Sequence, residues 1–169
     1  VATSPGCWPP GPEVVHGIDA DPAIVERARE RTGTGAPVTF FVGNALKDVP
    51  AGPYDVITCV ATIHHMPLTD ALTRFREHLA PGGTLIVVGL YRTRSRSDLL
   101  IDAVAIPSNI AMAWIKNKGR RAPRPAAMTA PTRPATTAFP DIVRDARLVL
   151  PGARLRRRLF WRYTLVWNR

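Results

Sequence analysis

Apolar residues recur along this chain with two different periods, and the alternation between them predicts an α/β protein. Residues 14–18 form a short β-branched run that closes on Asp19, the pattern of a buried strand. Asp21-Pro22 then offers a helix N-cap followed by proline at the first helical position. Ile24, Val25 and Ala28 share one face of that helix, the charged residues between 26 and 31 fall mostly on the other, and Gly33 ends it. Residues 38–42 read as a second strand. Residues 55–60, introduced by the Ala51-Gly52-Pro53 turn, read as a third. Leu68, Leu72, Phe75 and Leu79 keep helical spacing and predict a helix over 69–79, broken by Pro81-Gly82-Gly83 before a fourth strand at 84–90. Strands alternating with helices at this spacing argue for βαβ units and a mostly parallel sheet.

The regularity fades after Tyr91. Residues 95–115 read as partly helical with a break at Pro107, and 120–140, with five prolines, read as a lid or connecting segment. Residues 141–150 suit one more helix. The alternation over 154–167 predicts an antiparallel hairpin at a sheet edge. The predicted organisation is an irregular segment at 1–13 and a single domain at 14–169, with 91–140 as a lid or substrate insertion. Ile106, Ile110, Met112 and Trp114 in that insertion suit either a hydrophobic substrate or packing on the sheet.

Composition narrows the class. The two cysteines, Cys7 and Cys59, lie in unlike settings, one in a Pro-rich segment and one in an apolar run, so a disulfide framework is not expected. No N-terminal stretch has signal-peptide order, and the longest apolar window, 99–115, is too short and polar for a membrane span. A soluble, cytoplasmic protein is the expectation. The net charge of +10 is unevenly placed: residues 116–169 hold fourteen Lys/Arg against two Asp/Glu. Such a region can attract a polyanion, although Arg outnumbers Lys twenty to three, a bias that GC-rich coding also produces. A nucleic-acid partner is therefore admitted but not favoured.

Four segments carry chemistry. Val14-Val15-His16-Gly17-Ile18-Asp19-Ala20-Asp21-Pro22 puts a carboxylate at the end of a strand, where it can accept from two adjacent hydroxyls. Phe41-Val42-Gly43-Asn44-Ala45 ends the next strand in an amide. Tyr54-Asp55-Val56-Ile57-Thr58-Cys59-Val60 leads through Ala61-Thr62-Ile63 into the pair His64-His65, and Leu79-Ala80-Pro81-Gly82-Gly83 turns into the fourth strand. In this order and at these distances the segments resemble the class I S-adenosylmethionine (SAM)-dependent methyltransferase family, over roughly residues 14–90. The resemblance implies a Rossmann-like three-layer α/β sandwich with a mostly parallel sheet and a C-terminal antiparallel hairpin. It implies SAM as cofactor: Asp19 and Ala20 at the ribose, Asn44 and Ala45 at the adenine, and the backbone of Cys59 and Val60 along the methionine part. Asn44 departs from the family, which commonly has Asp there, but its amide oxygen also accepts a proton.

His64 and His65 are the candidate catalytic residues, since an imidazole titrates near neutrality and can take a proton from an acceptor. The alternative role is to orient their loop. Adjacent histidines without further ligands do not make a zinc site, so no metal is expected. The family's first strand, glycine-rich loop and following helix have no counterpart in residues 1–11, where prolines exclude a helix. The resemblance therefore implies a sheet lacking its first strand and a chain whose SAM affinity and activity are impaired or lost.

The function implied is methyl transfer from SAM to a small-molecule acceptor. Two other readings compete with it. An NAD(P)-dependent Rossmann dehydrogenase explains the Asp19 segment but not the His64-His65 loop, and the chain has no Tyr-x-x-x-Lys pair. A non-catalytic basic RNA-binding module explains the charge of the last third but lacks aromatic RNP strands and a GXXG loop.

Overall fold

The computed structural model describes residues 13–32, 35–92, 107, 114, 115, 134–159 and 161–169. The expectations for residues 1–12, and most of those for 93–133, fall outside these. Among the described residues ten elements follow in order. They are β1 (Val15–Asp19), α1 (Pro22–Thr32), β2 (Val38–Val42), β3 (Tyr54–Val60), a 3₁₀ turn (Ile63–His65), α2 (Leu68–His78), β4 (Leu79–Leu90), α3 (Phe139–Val149), β5 (Arg154–Arg158) and β6 (Arg162–Asn168). The contacts group into two compact units, Val1–Pro50 and Ala51–Arg169. The elements make a Rossmann-like α/β fold whose described strands lie in a two-stranded parallel sheet and a four-stranded mixed sheet.

In the first unit β1 and β2 pair in parallel, with Val15 opposite Val38 and Asp19 opposite Val42, and α1 is the crossover between them. Parallel strands need such a crossover. Helix α1 starts where the sequence places it, because the Asp21 Oδ1 accepts the Ala23 N–H at 2.8 Å and Pro22 needs no donor partner at the first position. It buries Val25. Gly17 is required by packing: a Cβ there would stand 2.6 Å from the Phe40 ring.

The second unit is a four-stranded sheet in the order β3-β4-β6-β5, with β3 and β4 parallel and the last two strands antiparallel to their neighbours. Side-chain alternation divides the sheet into two faces. Ile57, Cys59, Leu85, Val87, Leu155, Tyr163, Leu165 and Trp167 point to one side, where α2 brings Ala71, Leu72 and Phe75 and α3 brings Ile142 and Ala146. Burying each large side chain of this set contributes about 1.5–3 kcal/mol, so this interface is the core. Trp167 Nε1 donates to the Pro151 carbonyl at 2.9 Å and ties β6 to the turn after α3. Gly89 lies directly opposite Tyr163, and a Cβ there would come within 2.4 Å of the phenol ring.

Strand β4 differs from expectation. It starts at Leu79, not Thr84, and runs through Pro81-Gly82-Gly83. The reason is an irregular register beside β3, together with the chain end: Gly82, at φ +79°, donates to the Arg169 carbonyl at 3.0 Å, and Arg169 donates back to Gly83 at 2.9 Å. Among the described residues no helix is long and apolar enough to cross a membrane.

Candidate functional site

In the first unit the chain brings Asp19 and Asn44 to the same end of a parallel pair. Asp19 closes β1 and Asn44 follows β2 by two residues, and the Gly43 N–H donates to the Asp19 carbonyl at 2.9 Å. The carboxyl ends of adjacent parallel strands are where open α/β sheets bind ligands. The Asp19 carboxylate is half-buried, and its Oδ1 accepts the Asp21 N–H at 2.9 Å. A carboxylate has about four acceptor positions, so among the described residues most of its capacity is not taken up. Ala20 is exposed beside it.

Asn44 is held as a turn residue. Its Oδ1 accepts the Leu46 N–H at 2.8 Å, and its own N–H donates to Asp48 Oδ2 at 2.8 Å. The amide oxygen expected to meet an adenine amine is thus already engaged by the backbone, with one lone pair left. The Ala45 N–H has no acceptor among the described residues. Asp48, which pattern reading passed over, fixes this loop from four residues downstream.

In the second unit the carboxyl end of β3 leads into a sharp turn. Cys59 is buried and Val60 is 63% exposed. Ala61 takes a left-handed φ of 52° and donates to the Val88 carbonyl at 2.7 Å, which carries the chain off the sheet beside β4. The Thr62 hydroxyl donates to the Val60 carbonyl at 3.0 Å. Burial pushes the Cys59 thiol up to about 11, against a smaller opposing pull from the Ile63 and Thr62 N–H groups. At neutral pH it is a packed thiol and no nucleophile.

Ile63 is buried and anchors the 3₁₀ turn, which leaves His64 half-buried and His65 exposed. Their rings lie 4.0 Å apart, tilted by 40°. The His65 N–H donates to the Thr62 carbonyl at 3.0 Å. At the adjacent end of β4, Tyr91 and Phe139 lie 5.6 Å apart, and the Arg157 guanidinium sits 4.8 Å from the Phe139 ring. Burial, with a lesser contribution from Cys59, raises the Tyr163 phenol above its ordinary range.

Among the described residues no three His, Cys, Asp or Glu side chains converge as metal ligands. A shallow depression lined by Arg29, Thr32, Val38, Thr39 and Phe40 lies toward the start of β2, away from Asn44.

Residues 8–83 match the family described as a methyltransferase domain. An uncharacterized methyltransferase of Mycobacterium tuberculosis strain H37Rv is 27% identical over 157 residues, 91% of this chain and 75% of the relative. Among solved structures, a possible exported protein from Bordetella parapertussis superposes with a TM-score of 0.62 at 20% identity, over 92% of this chain and 53% of that one. The N-methyltransferase NodS from Bradyrhizobium japonicum, solved in complex with S-adenosyl-L-homocysteine, superposes with a TM-score of 0.56 at 13% identity, over 92% and 66%. The chain thus spans three-quarters of the mycobacterial relative and about half of the Bordetella protein. At these identities the two structures share the fold.

Proposed function

We propose that the chain is a class I S-adenosylmethionine-dependent methyltransferase, a reading its match to a methyltransferase domain supports, and that it transfers a methyl group from SAM to a small-molecule acceptor. The observation that carries this reading is the division of labour between two aspartates. Asp21 caps α1, so the half-buried Asp19 carboxylate at the strand end is not needed as that cap and serves a ligand instead. A carboxylate with acceptor capacity to spare fits the two ribose hydroxyls. The unengaged Ala45 N–H fits a ring nitrogen of adenine, and the remaining lone pair of the Asn44 amide oxygen fits the adenine amine. The donor and acceptor set of this strand end therefore suits the adenosine part of SAM, with Ala20 beside it. Bound there, SAM supplies a methyl group activated by its sulfonium.

His64 and His65 are assigned to the acceptor. An imidazole there takes the proton that an oxygen or nitrogen nucleophile gives up on methylation. The turn from Val60 to His65 offers one hydroxyl and two imidazoles, a recognition set suited to a small molecule. The same strand end would also suit the ribose of a dinucleotide, and the match of residues 8–83 to a methyltransferase domain is what favours SAM.

The test is transfer of radiolabelled methyl from SAM to a panel of small phenols, amines and carboxylic acids by the purified chain. Label in product, lost on mixing with excess S-adenosylhomocysteine, is the expected result. Binding of NAD in place of SAM would overturn the reading.

A further inference from the structure

The β5–β6 hairpin sorts its arginines by face. Arg157 turns to the helix side and stacks over Phe139 and Tyr91. Arg154, Arg156 and Arg158 point to the opposite face, all exposed. Their cross-strand partners there are Val166, Thr164 and Arg162, so Arg158 lies directly opposite a fourth exposed arginine. Like charges in that position, about 5 Å apart at Cβ, destabilise a strand pair. No carboxylate among the described residues forms a salt bridge with any of the four. Among the described residues, the one side-chain hydrogen bond that restrains them runs from Arg158 Nε to the Thr164 hydroxyl at 3.3 Å. At the tip joining the two strands, Leu159 and Trp161 are 46% and 37% exposed, and Trp161 takes a left-handed φ of 56°.

We propose that this face of the hairpin is a docking surface for single-stranded nucleic acid, with the phosphate backbone lying along Arg154, Arg156, Arg158 and Arg162 and a base stacked on Trp161. Three observations select this partner. Alternate residues of a strand recur at about 6.8 Å, so Arg154, Arg156 and Arg158 form a straight, evenly spaced row along β5, with Arg162 beside its last member, suited to a linear chain of phosphates and not to one isolated anion. The unneutralised repulsion between Arg158 and Arg162 is relieved when phosphate oxygens bridge the two guanidiniums, which pair with them in bidentate fashion. An exposed indole at the end of a basic track is the arrangement by which sequence-tolerant single-strand binders hold successive bases. The row belongs to the second unit, and Asp19 and Asn44 belong to the first.

The experiment is fluorescence anisotropy of a labelled twelve-residue oligouridylate titrated with the full chain at several salt concentrations. Arg156→Gln with Arg158→Gln should weaken binding at least roughly tenfold and reduce the salt slope by about 1.4, two phosphate contacts at about 0.7 each. The charge-matched control, Arg31→Gln with Arg147→Gln, carries its changes on the exposed sides of α1 and α3 and should bind as the parent does. Trp161→Ala should cost about tenfold, within the range for one base–aromatic stack. Removing a like-charge pair should leave the thermal midpoint unchanged or raised, which separates lost binding from lost folding. Equal losses in the two double variants would show diffuse attraction and overturn the proposal. So would binding to phosphatidylserine vesicles with none to the oligonucleotide.

Discussion

The Asp21 N–H donates to Asp19 Oδ1 at 2.9 Å, while the Asp21 carboxylate accepts from Ala23 at 2.8 Å and caps the helix that follows. Two aspartates two residues apart therefore do different work. One holds the helix start, and the other is positioned through the backbone of the first. Asp21→Ala should lower the stability of α1 and its surroundings by about 1 kcal/mol, the usual cost of a lost N-cap. Because the residue 21 N–H survives the substitution, Asp19 keeps its partner and SAM affinity should not change. Thermal unfolding and calorimetric titration of this one variant check both halves.

The histidines should behave in the opposite way. His64→Ala or His65→Ala should reduce turnover by roughly 10²- to 10⁴-fold if that imidazole takes the acceptor's proton, while the dissociation constant for SAM stays as it was. A variant that folds but no longer binds SAM would make the imidazole a cofactor or scaffold group.

Gly89 and Tyr163 form a close-packed cross-strand pair. Gly89→Ala should destabilise the second unit by about 1–3 kcal/mol through overpacking. Adding Tyr163→Leu removes the ring that the new methyl meets, so the double variant should cost less than the two single ones together. A double-mutant cycle by urea unfolding gives that coupling, and strict additivity would show that the strands simply move apart.

Cys59 links packing to pH. Its folded thiol is raised from 9.0 to about 11 by burial, so folding favours the neutral form. The stability it contributes is full below about pH 9 and is lost as the pH climbs from there toward 11. Thermal midpoints of the parent should fall across that window more steeply than those of Cys59→Ala, which has no thiol to ionise. Parallel curves would mean that the thiol is reached by water.

Most of the fold is legible in the sequence because apolar periodicity and turn residues agree locally. The runs around Val15, Val38 and Val56 are strands, and the 3.6-residue spacing of Leu68, Leu72 and Phe75 is a buried helix face. The start of β4 is not legible. Pro81-Gly82-Gly83 reads as a break, but the backbones of Gly82 and Gly83 are paired by Arg169, 87 and 86 positions along the chain, and no local pattern carries that contact. The site divides in the same way. Asp19 is visible as a polar stop on an apolar run, and Asn44 as a turn former. That Asp48 would hold the Asn44 N–H, or that Ala61 would turn left-handed, depends on loop closure with no periodic signature. The arginine row lies within the alternation over 154–167, but that no described carboxylate forms a salt bridge with it is a property of the folded sheet.

Calorimetric titration of SAM into the full chain and into Asp19→Ala tests the central claim most directly. The carboxylate accepts from ribose hydroxyls as a charged partner, a bond worth about 1.5–3 kcal/mol, so Asp19→Ala should weaken binding by roughly ten- to 150-fold. Asn44→Ala, which removes a neutral acceptor, should lose less. The same dissociation constant for Asp19→Ala and its parent, in proteins with equal thermal midpoints, would contradict the assignment of this strand end to the cofactor.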